Sequence, residues 1–182
     1  MRVITGTARG RKLETLEGND IRPTTDKVKE AIFSAIQFDI DGADILDLFA
    51  GSGQLGIEAL SRGAKSAVFV DNSKRSLDVV SRNLETTGLK EKSVLYNMNS
   101  IDFLQTTNRK FDIVFLDPPY KNDILVKILP IIENKMNSFG KVICEHEKNL
   151  KLPEEINRLR LKKNYKYGKI EVTMYCINEG DE

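Results

Sequence analysis

The chain has 182 residues, 40% hydrophobic and 30% charged, with a formal net charge of +1, the make-up of a globular protein with one core. No apolar run approaches the roughly 20 residues of a membrane helix, and the opening Met1-Arg2-Val3-Ile4-Thr5-Gly6 lacks the apolar core of a signal peptide. Two distant cysteines, Cys144 and Cys176, and the single His146 offer neither a disulfide framework nor a familiar zinc spacing, so a cytoplasmic chain of one domain, with reduced core thiols and no metal, is expected.

Residues 1–22 read as a small basic hairpin or arm, with Gly6 and Gly10 as turn candidates. Between Met1 and Leu13 lie Arg2, Arg9, Arg11 and Lys12 and no acid. After Arg22-Pro23-Thr24-Thr25-Asp26, the apolar positions Val28, Ala31, Ile32, Ala35 and Ile36 recur at helical spacing. Pro23 stops that helix extending backwards, and Thr24, Thr25 and Asp26 supply its cap and first turn. Lys27 and Lys29 on it suit either a phosphate grip or a solvated face.

A strand over residues 43–49 then ends in the Gly51-Ser52-Gly53 turn, followed by a helix with Leu55, Ile57, Ala59 and Leu60 that Gly63 ends. Further strands are predicted over 67–70, 94–96, 111–116 and 140–144, with helices over 73–86, from Ile101, and over 124–136. Short apolar runs alternating with helical patterns predict an α/β fold, a parallel sheet covered by helices on both faces. The tail differs: Leu159-Arg160-Leu161 and Ile170-Glu171-Val172-Thr173-Met174 alternate with period two around Tyr167-Gly168-Lys169, so an antiparallel hairpin is expected at the sheet edge. Six basic residues (Arg158, Arg160, Lys162, Lys163, Lys166 and Lys169) interleave there with Tyr165 and Tyr167, as a polyanion-binding rim or as solvated strand faces.

Gly51, Gly53 and Gly56 fit the spacing G-x-G-x-x-G, and Asp71 follows Gly51 by 20 residues at the end of the next strand. Glycine permits a tight turn and close ligand approach, and the acid can accept both hydroxyls of a ribose. This geometry predicts a nucleoside cofactor without choosing between NAD and S-adenosylmethionine. Asp47 tilts the choice, because its charge repels a pyrophosphate but welcomes a methionyl ammonium. Asn99, after the third strand, can pair with an adenine amine, cap the next helix, or both. The candidate cofactor contacts are Asp47, Phe49, Ala50, Gly51, Ser52, Gly53, Gly56, Asp71, Asn72, Asn99 and Ser100.

The fourth strand runs straight into Asp117-Pro118-Pro119-Tyr120. Proline removes backbone donors and fixes φ, so the pair makes a stiff ledge that holds a carboxylate, a free carbonyl and a flat ring. Such a ledge can stack a planar base and accept hydrogen bonds from its exocyclic amine; a plain strand-ending turn is the alternative. Asp117, Pro118, Pro119 and Tyr120 are the candidate catalytic residues. Glu145 and His146 follow the fifth strand, where His146 is expected as a surface or capping residue rather than a catalyst.

In this order the pieces resemble the class I S-adenosylmethionine-dependent methyltransferases, and more narrowly the RsmD family of 16S rRNA (guanine-N2)-methyltransferases. The resemblance is carried by Gly6, Arg9-Gly10-Arg11-Lys12-Leu13, and the run from Arg22-Pro23-Thr24-Thr25-Asp26 to Ala31. It continues through the turn from Asp47 to Gly56, Glu58-Ala59-Leu60-Ser61-Arg62-Gly63-Ala64, Phe111-Asp112 and Leu116-Asp117-Pro118-Pro119-Tyr120. It implies a Rossmann-like, seven-stranded, mostly parallel sheet whose last strand is antiparallel. It also implies a guanine of 16S rRNA in an assembling small ribosomal subunit as substrate; separately, a monomer is expected. The chain departs from the family where Gln54 replaces a small apolar residue and Asp71 a frequent Glu; Asn99 replaces an Asp common in other methyltransferases.

On this reading Asp117 and the Pro118 carbonyl align the amine, Tyr120 stacks on the base, and Arg9, Arg11, Lys12, Arg22, Thr24 and Lys27 grip RNA. The four residues of the ledge serve guanine and adenine alike, so amine methylation of adenine in RNA or DNA is the nearest alternative. Outside that class stand an NAD-dependent oxidoreductase and a non-catalytic RNA-binding assembly factor.

Overall fold

The computed structural model describes residues 1–16, 25–119 and 124–177. Five helices, α1 (Asp26–Ala35), α2 (Gln54–Ser61), α3 (Lys74–Thr87), α4 (Ser100–Thr106) and α5 (Ile124–Ile132), surround one sheet. Its strands are β1 (Asp44–Asp47), β2 (Ser66–Asp71), β3 (Ser93–Asn97), β4 (Phe111–Leu116), β5 (Met136–Glu147), β6 (Glu155–Ile156), β7 (Leu159–Tyr167) and β8 (Ile170–Ile177).

The strand order is β3-β2-β1-β4-β5-β8-β7-β6, parallel through β5, with β8 antiparallel to both β5 and β7. The seven expected strands are present, and the two-residue β6 extends the edge to eight. Central strands are buried on both faces, which is why they read as unbroken apolar runs. Ile45, Ala67, Phe69, Ile113 and Phe115 face the layer of α1, α2 and α3, whereas Leu46, Val68, Val70, Val114 and Leu116 face α4 and α5. Thr25 caps α1, its hydroxyl accepting from Val28 N, and Ser73 caps α3 by accepting from Ser76 N at 3.2 Å.

Two boundaries differ from the sequence reading. The helix expected to reach residue 136 ends at Ile132, passes through a 3₁₀ turn, and releases Met136 to pair with Phe111. The strand expected over 140–144 runs from Met136 to Glu147, because β8 pairs along it as far as Glu147. Polar Asn137 and Ser138 hide that strand in the sequence: they fall in an irregular stretch where β4 and β5 lose register and Phe139 takes a φ of 60°.

The order reverses between β1 and β4: chain continuity runs outward to β2 and β3 on one side and to β5 on the other. Open α/β sheets bind ligands at the carboxyl ends of the strands flanking such a switch.

Candidate active site

The loops at that switch enclose a cavity of about 540 Å³, within the range of small-molecule sites. One wall is the turn after β1. Leu48 N donates to Phe115 O and Ala50 N to Val70 O, so the turn is tied to the strands on both sides. Gly51 and Gly53 sit at φ 55° and 78°, the left-handed region where glycine is cheapest, and Gly53 opens α2. Gly53 and Gly56, expected as cofactor contacts, do not line the cavity. A Cβ on Gly56 would stand 2.4 Å from the Phe69 ring, so that glycine serves close packing of helix on strand, and its N–H donates to Asp47 Oδ2 at 3.0 Å.

Asp47 ends β1 almost fully buried and lines the cavity. Burial pushes its carboxyl up to about 7, against the pull of the Gly56 N–H and with added repulsion from Asp71. Asp71 ends β2; its Oδ2 accepts from Gly51 N at 2.9 Å and its Oδ1 from Ser73 N at 2.8 Å. It therefore pins the glycine turn to the start of α3, and each oxygen retains a further acceptor site. Asn99 caps α4, its Oδ1 accepting from Ile101 N at 2.9 Å, while still lining the cavity. Phe49, Ala50, Ser52, Asn72 and Ser100 line it as well.

The opposite wall is the ledge after β4: Asp117, Pro118 and Pro119 line the same cavity, with Pro118 buried and Pro119 exposed. Tyr120 lies outside the described residues. Glycine turn and ledge, about 65 residues apart in the chain, thus face one space. Among the described residues no lysine or arginine lines it, while Asp47, Asp71 and Asp117 do. Such an acceptor-rich lining fits a cationic nucleoside such as S-adenosylmethionine and opposes a pyrophosphate.

A third wall was not legible as such. Met1, Thr15 and Leu16 of the amino-terminal arm line the cavity. The arm folds back on itself through Val3 N to Arg11 O and Gly10 N to Val3 O, and docks on α2 and α3. Glu58 of α2, wholly buried, accepts from Ile4 N at 2.8 Å, Thr5 N at 3.0 Å and Arg62 Nε at 2.8 Å, and pairs with Lys29 at 3.6 Å. Lys29, read as a phosphate grip or solvated face, is instead buried; it donates to Arg2 O at 2.7 Å, and burial holds its ammonium below the usual lysine range. Ser61 accepts from Ala8 N and donates to Thr5 O. Gly6, at φ 89°, packs so closely that a Cβ would lie 1.8 Å from Ser61 O.

Asn83 of α3 joins this wall to the first. Its Oδ1 accepts from Glu14 N at 2.7 Å, and its Nδ2 donates to Glu14 O at 3.0 Å and Ser52 O at 2.9 Å. One polar residue among many on an amphipathic helix gives no hint of that role.

The expected RNA contacts lie elsewhere. Arg9, Arg11 and Lys12 are exposed on the arm and Lys27 on the first turn of α1, none of them in the cavity. Arg22 and Thr24 fall outside the described residues. His146, expected at the surface or as a cap, is buried: Nε2 meets Thr173 Oγ1 at 2.8 Å and Nδ1 meets Glu147 O at 2.9 Å. The reason is β8, which covers that stretch of β5. Tyr165 and Tyr167 pack against the core on the face of the sheet that carries α1, α2 and α3, leaving Lys162, Lys163, Lys166 and Lys169 exposed. Cys144 is buried and Cys176 half-buried, both free, with burial pushing each thiol up.

Comparison with known proteins matches nearly the whole chain. A family model described as conserved hypothetical protein 95 matches residues 1–176. Protein YlbH of Bacillus subtilis is 40% identical over 180 residues, covering 96% of this chain and 98% of that one. Ribosomal RNA small subunit methyltransferase D of Haemophilus influenzae is 38% identical over 169 residues, covering 89% and 88%. The solved structure of Escherichia coli yhhF matches with a TM-score of 0.88 at 31% identity, over 98% of both chains.

Proposed function

The chain belongs to the RsmD family, the family described as conserved hypothetical protein 95, and on that premise we propose that it uses S-adenosyl-L-methionine to methylate the exocyclic N2 amine of a guanine in 16S rRNA. The observation that carries this reading is one cavity walled jointly by the Asp47 glycine turn and the Asp117-Pro118-Pro119 ledge. The name of the Haemophilus relative, a small-subunit ribosomal RNA methyltransferase, supports the choice of RNA.

S-adenosylmethionine, when bound, supplies a methyl group made electrophilic by its sulfonium. Asp47 accepts from the ammonium of its aminoacyl end, and Asp71 offers its remaining acceptor sites to the ribose hydroxyls. The guanine amine is a poor nucleophile because its lone pair is delocalised into the ring. The Asp117 carboxylate and the Pro118 carbonyl accept its hydrogens, favouring a pyramidal nitrogen aimed into the cavity; this alignment supplies most of the catalysis. No strong base is needed, since the amine becomes acidic only on transfer, and Asp117 or water takes the proton. Tyr120 stacks on the base, a contact worth about 1–3 kcal/mol.

A base within a duplex cannot reach the ledge, so the target is single-stranded or flipped out. Arg9, Arg11, Lys12, Arg22, Thr24 and Lys27 hold the surrounding backbone. The enzyme acts in the cytoplasm as a one-domain monomer, on an assembling small subunit. Mass spectrometry of 16S rRNA from a deletion strain tests the proposal: loss of a single N2-methylguanosine is expected. An unchanged set of methylguanosines, or loss of a methyladenosine instead, overturns it.

A further inference from the structure

Gln54, the first residue of α2, is 8% exposed and lines the cavity, yet its side-chain Oε1 has no hydrogen-bond partner among the described residues. Buried acceptors are almost always satisfied, so an orphan in a ligand cavity marks a group kept for a ligand donor. Resemblance to the family leads one to expect a small apolar residue here, which would avoid that cost. Asp47 lines the same cavity, and its carboxyl accepts from Gly56 N, two residues on from Gln54.

We propose that Gln54 Oε1 accepts a hydrogen bond from the ammonium of the cofactor's aminoacyl end, sharing that cation with Asp47. This rests on the methyltransferase reading above. An ammonium has three donors, and a single buried carboxylate cannot satisfy them all. A second carboxylate beside Asp47 would repel the first and drive both towards the neutral acid. An amide oxygen adds an acceptor without adding charge. Asp71, committed to Gly51 N and Ser73 N at the end of β2, serves the ribose end instead.

Calorimetric titration separates the two ends of the cofactor. S-adenosylhomocysteine carries the ammonium, and methylthioadenosine lacks the whole aminoacyl group. Gln54→Leu is expected to weaken S-adenosylhomocysteine binding about tenfold, a typical loss for a hydrogen bond to a charged group, and to leave methylthioadenosine binding unchanged. The melting temperature of the unliganded variant should be no lower than wild type, because the change removes an unsatisfied buried acceptor. Gln54→Ala, free of any added bulk, should show the same split between ligands. Unchanged affinity for S-adenosylhomocysteine, or parallel loss for both ligands, overturns the assignment. A wild-type protein that binds neither ligand overturns the methyltransferase reading beneath it as well.

Discussion

The glycine turn and the amino-terminal arm wall the same cavity but are held there by different means. The turn connects β1 to α2 and is fixed by local backbone geometry plus two short carboxylates, Asp47 and Asp71. The arm reaches the site across 27 to 69 residues of sequence, fastened by side chains of α1, α2 and α3: Lys29, Glu58, Ser61 and Asn83. One wall is thus specified by a motif, the other by a buried polar network whose members look ordinary one at a time. Because Asn83 holds both Glu14 and Ser52, the two walls are mechanically joined.

Substitutions can separate the two. Asp117→Ala belongs to neither wall and should lower methyl transfer by at least about 10²-fold while leaving S-adenosylhomocysteine affinity nearly unchanged. Single-turnover rates beside calorimetry would show this, and a fully active variant would sink the role assigned to Asp117. Glu58→Ala strands the Lys29 ammonium and unpairs Ile4 N and Thr5 N. It should cost about 3–5 kcal/mol in urea unfolding, whereas Lys29→Met with Glu58→Gln together should cost far less.

Asn83→Ala tests the joint itself. Leaving Glu14 N and the Ser52 carbonyl unpaired should cost about 1–3 kcal/mol of stability. If the walls are coupled, cofactor affinity should fall as well, though residue 83 does not line the cavity. Stability loss with unchanged affinity would mean that the arm and turn act independently.

The smallest effect concerns pH and the turn alone. The folded pKa of Asp47, about 7, lies above its ordinary 3.8, so this group favours the unliganded fold at low pH and its contribution is lost as pH rises from about 4 through 7. A cationic cofactor prefers the ionised carboxylate, so its affinity should rise about tenfold from pH 5 to pH 6, where its own ammonium stays protonated, and Asp47→Asn should flatten that rise.

Much of the fold and half of the site could be read from the chain because they are local. The strand–helix alternation, the turn from Asp47 to Gly56, the spacing to Asp71 and the proline ledge each sit within a short stretch. What stayed hidden depends on distant partners. Met136 belongs to a strand because Phe111 lies beside it, and Lys29 is buried because Glu58 meets it from another helix. His146 is enclosed because β8 inserts next to β5. No periodicity within any of those segments announces the neighbour. Asn83 shows the same limit inside a well-predicted helix: spacing placed it on α3 but could not show that it bonds to residue 14.

The position of β8 bears on how the protein is made. Although it comes last in the described chain, it lies between β5 and β7, with its interior-facing residues completing both layers of the core. A nascent chain that has emerged only as far as β7 leaves one edge of β5 and one of β7 without a partner, open to pairing with other chains. The sheet can close only after residues 170–177 are free to pair, so this fold cannot form from the segments before them alone. A chain cut before Ile170 would therefore be aggregation-prone, with the facing edges of β5 and β7 left open.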